Sequence, residues 1–125
     1  MKFSKKVLPF LLCGAILFGG ISAFAEYKQF PDVAADHPYY SQISTIANLG
    51  VISGYDDGNF HPQDALTRAS FSTMITLAFS LDYKTGADEN IFSDTVTHWG
   101  KKYINAAYRK NIISGDGTGR FLPDQ

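Results

Sequence analysis

Gly50-Val51-Ile52-Ser53-Gly54-Tyr55-Asp56-Asp57-Gly58-Asn59-Phe60-His61-Pro62 is the stretch on which the fold turns. Its echo, Asn111-Ile112-Ile113-Ser114-Gly115-Asp116-Gly117-Thr118-Gly119-Arg120-Phe121-Leu122-Pro123, lies 61 residues on. Each copy sets an apolar pair before two glycines spaced four apart, with polar turn formers between them. That pattern predicts a tight loop whose backbone needs positive φ. Phe60 and Phe121 are expected to pin the loops to a core, and Pro62 and Pro123 to stiffen the exits. Upstream, Phe30-Pro31-Asp32-Val33 and Phe92-Ser93-Asp94-Thr95 open the two copies at a shift of 62 residues, so one single-residue indel aligns them. Self-similarity at a fixed period implies a repeat architecture, in which no unit buries its apolar face alone.

Between opening and loop, each copy carries a helical pattern. In the first, Tyr40, Ile43, Ile46, Ala47 and Leu49 recur at helical spacing, Pro38 suits a first turn, and Gly50 is a C′ stop. In the second, a helix is expected from about Trp99 to Lys110, with Tyr103, Ile104, Ala107 and Tyr108 inward. Asn111 takes the place of Gly50, as the other residue that tolerates a left-handed cap. A third helix, Arg68 to Leu81, follows the first loop. Thr67 is its N-cap, and Phe71, Met74, Ile75, Ala78 and Leu81 form its apolar stripe. The counterpart of this helix in the second copy would begin beyond Gln125. The face on Tyr103, Ile104, Ala107 and Tyr108 is therefore expected to lack part of its cover. The organisation reads as lead-in 26–29, first unit 30–82, linker 83–91, and a truncated second unit 92–125.

Residues 1–25 read as a secretory signal peptide. Lys2, Lys5 and Lys6 precede an apolar run from Val7 to Gly20, and Ala23-Phe24-Ala25 is a cleavage site. The run is short for a bilayer span, which needs about 20 residues. Cys13 follows Leu12 rather than a small residue, which disfavours a lipid anchor. N-terminal sequencing of secreted material should return Glu26; a retained Met1 or a lipid on Cys13 would contradict this. The mature chain then has no cysteine, so packing alone stabilises an exported fold. With the signal removed, 8 basic residues face 12 acidic ones. Residues 26–98 carry 3 basic and 10 acidic side chains, and residues 99–125 carry 5 and 2. Net acidity argues against nucleic acid as the main partner, while the basic second unit permits an anionic ligand.

Catalytic and metal chemistry find little support. The two Gly-Asp loops lack the alternating oxygen donors and terminal Glu of a calcium-binding EF-hand. His37, His61 and His98 have no cysteine partners and no short ligand spacing. His37 and His98 are equivalent positions before a helix, which suggests capping or packing. No spacing sets a base against a nucleophile. The chain is therefore expected to be neither an enzyme nor a holder of metal or cofactor.

Phe30-x-Asp32-Val33, Gly50-Val51-Ile52-x-Gly54-Tyr55-x-Asp57-Gly58-x-Phe60-x-Pro62 and Leu66-Thr67-Arg68-Ala69 together resemble the S-layer homology (SLH) family. The resemblance covers one nearly complete motif and a truncated second. It implies an all-α fold in which tandem helix–loop–helix motifs form part of a pseudo-threefold bundle. It also implies non-covalent anchoring at a cell wall or S-layer surface. The implied partners are secondary cell wall polymer, an anionic and commonly pyruvylated glycan, and further SLH motifs. Such a segment fits a structural surface-lattice subunit or the anchor of a longer exported enzyme.

In the family, the arginine of the Thr-Arg-Ala string is a chief ligand contact, and here that residue is Arg68. A guanidinium fork matches a carboxylate in two-pronged geometry, and the first turn of a helix favours an anion through its free N–H groups. The further ligand candidates are Asp32, Gly54 and Tyr55 from the first unit, and Trp99, Lys101 and Lys102 from the second. Asp32 reads equally as turn chemistry, and Trp99 equally as core. Two departures bear on the site. Ser70 stands where the family usually has the Glu of a capping box, so a weaker cap is expected. Pro38 stands where the motif often has Trp, which the second unit keeps as Trp99.

Overall fold

The computed structural model describes residues 28–125. The signal peptide with its Cys13, and the Glu26 terminus, lie outside the described residues. Among the described residues there are three helices, α1 (Tyr40–Asn48), α2 (Arg68–Ala78) and α3 (Lys101–Arg109), and no strands. The fold is all-α, with long ordered loops between short helices.

Local signals explain the helix ends. Gly50 follows α1 at φ +72° and Asn111 follows α3 at φ +57°, so both take the left-handed position that stops a helix. Thr67 caps α2, its Oγ1 accepting from Ser70 N at 3.1 Å. Thr67 Oγ1 also donates to Ser70 Oγ at 2.9 Å, so Ser70 answers the cap through its hydroxyl. Pro38 sits in the turn before α1 and not in the helix. His37 and His98 act alike: each Nδ1 accepts the amide two residues on, Tyr39 at 3.2 Å and Gly100 at 3.0 Å.

The two repeats build two cores. Phe30, Val33, Ile43 and Ala47 form the first, with Tyr40, Ile52 and Phe60 against it. Phe92, Ile104 and Phe121 form the second, joined by Ala69 of α2. Phe30 and Phe60, and again Phe92 and Phe121, meet with ring centroids 5.4 Å apart. Gly54 and Gly115 admit the leading ring: a Cβ on either would lie 2.5–2.6 Å from the Phe30 or Phe92 ring and 2.6 Å from the carbonyl across the loop.

One expectation is overturned here. Helix α2 belongs to the first repeat by sequence, yet it packs on α3 of the second, and this is the one helix pair in contact among the described residues. It brings the cover that the second unit was expected to lack, and Ile104 and Ala107 are fully buried. The buried face of α2 is also not its apolar stripe. Ala69, Ser72 and Thr76 face α3, while Phe71 and Phe79 are exposed. Small residues let the helices approach, and Thr76 Oγ1 donates to Tyr103 O at 3.0 Å. On α3 the buried set is Ile104, Asn105, Ala106 and Ala107; Tyr108 stays exposed.

The segment from Tyr83 to Asn90 is held against α3. Asn105 Nδ2 donates to Glu89 O at 2.8 Å and Gly86 O at 3.2 Å, and Arg109 donates to Gly86 O and Thr85 O. Lys101 Nζ donates to Asn90 Oδ1 at 2.7 Å and Asp88 O at 3.0 Å. No described helix is long and apolar enough to cross a membrane.

Candidate glycan-binding cleft

The aspartate of each Phe-x-Asp string is a backbone clamp. Asp32 accepts from Phe60 N at 2.9 Å and His61 N at 2.6 Å. Asp94 accepts from Phe121 N and Leu122 N, both at 2.8 Å. His61 and Leu122 sit at φ +54° and +61°, a conformation that disfavours side chains with a Cβ. Two charge-assisted bonds per carboxylate hold each reversed turn. Burial works to raise these two carboxyls, but the backbone N–H donors outweigh it and hold both below the ordinary 3.8.

The two loops carry different ion pairs: the second sets Arg120 Nε 3.7 Å from Asp94 Oδ2, and the first pairs a histidine with an aspartate. His61 Nε2 lies 2.7 Å from Asp57 Oδ2. The hydrogen bond to Asp57 raises the His61 pKa above 6.5; burial opposes this, and the charges of Asp57, Asp64 and Asp32 add to it. The pair therefore contributes fully below pH 6.5 and is lost as pH rises through the raised value. An NMR titration should find His61 above 6.5 and Asp57→Asn should bring it down. An unchanged midpoint in Asp57→Asn would contradict the pairing. The Tyr55 ring meets His61 edge-on at 4.9 Å, on this same exposed loop.

A cleft of about 460 Å³ opens between the start of α2 and the second loop. Arg68, Thr67, Ser72 and Ser114 are its polar wall, and Leu66, Phe71 and Ile112 its apolar rim. Arg68 Nε donates to Phe121 O and Nη2 to Ser114 O, each at 2.9 Å, and its guanidinium carbon lies 4.4 Å from the Phe121 ring centroid. Two of the five N–H donors of a guanidinium are thus engaged, and the end-on pair of Nη1 and Nη2 retains hydrogens for an anion. The arginine is both a strut of the cleft and its one cation among the described residues.

The helix start is not free for an anion. Arg68 N donates to Gln125 O at 2.7 Å, Ala69 N to Pro123 O at 2.9 Å, and Ser70 N to Thr67. These three amides are therefore engaged within the chain, which corrects the expectation that the first turn of α2 offers free N–H groups to an anion.

Of the sequence candidates, Arg68 alone lines the cleft. Gly54 and Tyr55 belong to the first loop, which Asp32 clamps from the opening string of the unit. Trp99 is 59% exposed and stacks on His98, at 5.2 Å between centroids. Lys101 holds the linker, and Lys102 Nζ lies 5.2 Å from the Tyr83 ring and 4.8 Å from the Tyr103 ring. Sequence reading missed Ser114, Ile112 and Phe71. The repeat offers one signal for Ser114: the Ile-Ser-Gly step recurs in both loops, as Ile52-Ser53-Gly54 and Ile113-Ser114-Gly115. Among the described residues no cluster of three or more His, Cys, Asp or Glu is placed to hold a metal.

The profile of the S-layer homology domain matches residues 29–72 and 91–125. S-layer protein EA1 of Bacillus anthracis is 32% identical over 121 residues, covering 96% of this chain and 14% of the relative. A cell surface protein of Thermoanaerobacter kivui is 29% identical over 129 residues, covering 99% and 17%. An endoglucanase of Bacillus sp. (strain KSM-635) is 31% identical over 96 residues, covering 77% and 10%. The chain thus spans less than a fifth of the length of each of these relatives. Two profile matches, one over each repeat, lead to one statement: the chain belongs to the S-layer homology domain family.

Proposed function

We propose that this chain is an exported, non-catalytic module that anchors its bearer to the cell wall or S-layer surface by binding a secondary cell wall polymer. The cleft at Arg68 takes a carboxylate-bearing sugar of that polymer, with a pyruvate ketal as the group that fits best. The observation that carries this reading is the single cation of the cleft, Arg68, held in place by Phe121 and Ser114 with part of its fork still free. The apolar rim of Leu66, Phe71 and Ile112 suits the ketal methyl and the carbon face of a pyranose. Relatives include S-layer proteins and an endoglucanase, which supports a module whose task is attachment, whatever it carries.

Leu66 gives a test that spares the fold. It stands on the rim and is 57% exposed. Leu66→Lys should strengthen binding to isolated wall polymer and Leu66→Glu should weaken it. An exposed charge interaction of about 0.2–1 kcal/mol gives a change of about 1.4- to 5-fold each way, and salt should reduce both. Equal affinities for the two variants would refute an anionic ligand at this rim.

A further inference from the structure

A second hollow, of about 350 Å³, opens at the other end of α2. Ser80, Leu81, Asp82, Tyr83 and Lys84 line it, together with the buried Thr76. Its volume lies in the range of small-ligand sites. None of these residues lines the cleft at Arg68, and α2 rises about 15 Å between Arg68 and Ala78.

This end of the helix gathers acceptors. The C-terminal end of a helix is the negative end of its dipole, and its last carbonyls lack intrahelical partners. Phe79 N, Ser80 N and Leu81 N turn back to the carbonyls of Ile75, Leu77 and Thr76. No described residue donates to the carbonyls of Ser80 or Leu81. Asp82 adds a carboxylate to the same wall. Its Oδ1 accepts from Lys84 N at 2.9 Å and Thr85 N at 3.1 Å. Hydrogen bonds from Thr85, and then from Lys84, hold its pKa down at about 2. It is therefore ionised, accepts only, and has room for further donors, since a carboxylate offers about four acceptor sites.

The aromatic wall is Tyr83. Its ring lies 5.0 Å from that of Tyr103 at an interplanar angle of 46°, and Lys102 Nζ stands 5.2 Å from its centroid. The charge of Lys102, conspicuous in the sequence, thus steadies this ring instead of reaching the cleft at Arg68.

We propose that this hollow is a second saccharide site, for a neutral pyranose that lays one face on Tyr83 and donates its hydroxyls to Asp82 and the free carbonyls at the end of α2. Lys84, exposed on the same wall, donates to an oxygen of the sugar. A carboxylate-bearing sugar is disfavoured here, because it would meet Asp82 and the negative end of the helix. The two openings thus differ in kind: the cleft at Arg68 supplies a cation, and this hollow supplies acceptors and a ring. A glycan that carries both neutral and acidic sugars would find a contact at each end of α2. The proposal does not rest on the carboxylate reading at Arg68.

The test is a titration of the mature chain, followed by amide NMR shifts. The probes are the methyl glycosides of glucose, galactose and N-acetylglucosamine, with methyl glucuronide as the acidic counterpart. A neutral glycoside should give saturable shifts centred on Ser80, Leu81, Tyr83 and Lys84, and the glucuronide should bind about 1.4- to 5-fold more weakly. Asp82→Asn should lower affinity about tenfold, while its remaining oxygen still accepts the Lys84 and Thr85 amides. Tyr83→Leu, which fills the space without an aromatic face, should lower it about 2- to 10-fold. No shift from any of the three neutral glycosides would overturn the proposal. So would shifts centred on Arg68 and Ser114, tighter binding of the glucuronide, or an Asp82→Asn chain of unchanged affinity.

Discussion

Phe121→Ala should cost the fold about 3–5 kcal/mol, the range for emptying a buried phenylalanine site. Phe60→Ala, the same change at the equivalent position, should cost about 1–2 kcal/mol, because its ring is only half-buried and less apolar area returns to water. The ring of Phe121 lies between Phe92 and the Arg68 guanidinium, and its carbonyl holds Arg68 Nε. Removing it opens a cavity beneath α2 and strips one face from the arginine. For a domain with about 5–15 kcal/mol in total, that loss takes a large share. Denaturant midpoints of the two variants against the parent give the comparison. Equal losses would contradict the finding that α2 covers only the second unit.

Arg68→Ala should weaken binding to wall polymer by about one to two decades, since a lost charge-assisted bond is worth about 1.5–3 kcal/mol. It should also loosen the second loop, because Nε and Nη2 tie Phe121 O and Ser114 O to α2. The two effects separate by measurement. Stability reports the strut, and affinity of the folded fraction reports the ligand contact. Arg68→Lys should recover part of the affinity, because an ammonium keeps the charge but cannot form the fork. A folded Arg68→Ala chain that binds the polymer as the parent does would remove Arg68 from the site.

Much of the fold was legible because its signals are local. Thr67 as a cap, Gly50 and Asn111 as left-handed stops, and Phe60 and Phe121 as loop anchors each follow from the residue and its neighbours. The alignment of two copies then carried the reading from one unit to the other. What sequence could not show was the partner of α2. Its place after the first loop suggested the first core, but Arg68 bonds to residues 46 and 53 positions away, and no periodicity encodes such a pairing. The buried face of α2 followed from that partner. At a close crossing with α3, Ala69, Ser72 and Thr76 fit where Phe71 and Met74 do not, so the apolar stripe was a poor guide.

Of the candidate site, one residue in the cleft was legible, Arg68. Arg68 reads out as the cation because its string is specific. Lys101 and Lys102 stand out by charge alone, and that charge is engaged elsewhere: Lys101 by Asn90 and Asp88 of the linker, Lys102 by the rings of Tyr83 and Tyr103. Asp32 and Asp94 show why an acidic residue at equivalent places in both repeats reads first as architecture: each carboxylate holds a residue at reversed φ. Ser114 and Ile112 enter the cleft only because α2 crosses to the second unit.

In the proposed binding mode, Arg68 grips a carboxylate on the wall polymer. The most direct test of this mode is a calorimetric cycle in which the mature chain and its Arg68→Lys variant, each verified as folded, are titrated with polymer before and after chemical removal of pyruvate. Either change alone should weaken binding, and the two losses together should fall well short of their sum, because both remove the same contact. Fully additive losses, or an affinity that is indifferent to pyruvate, would contradict it.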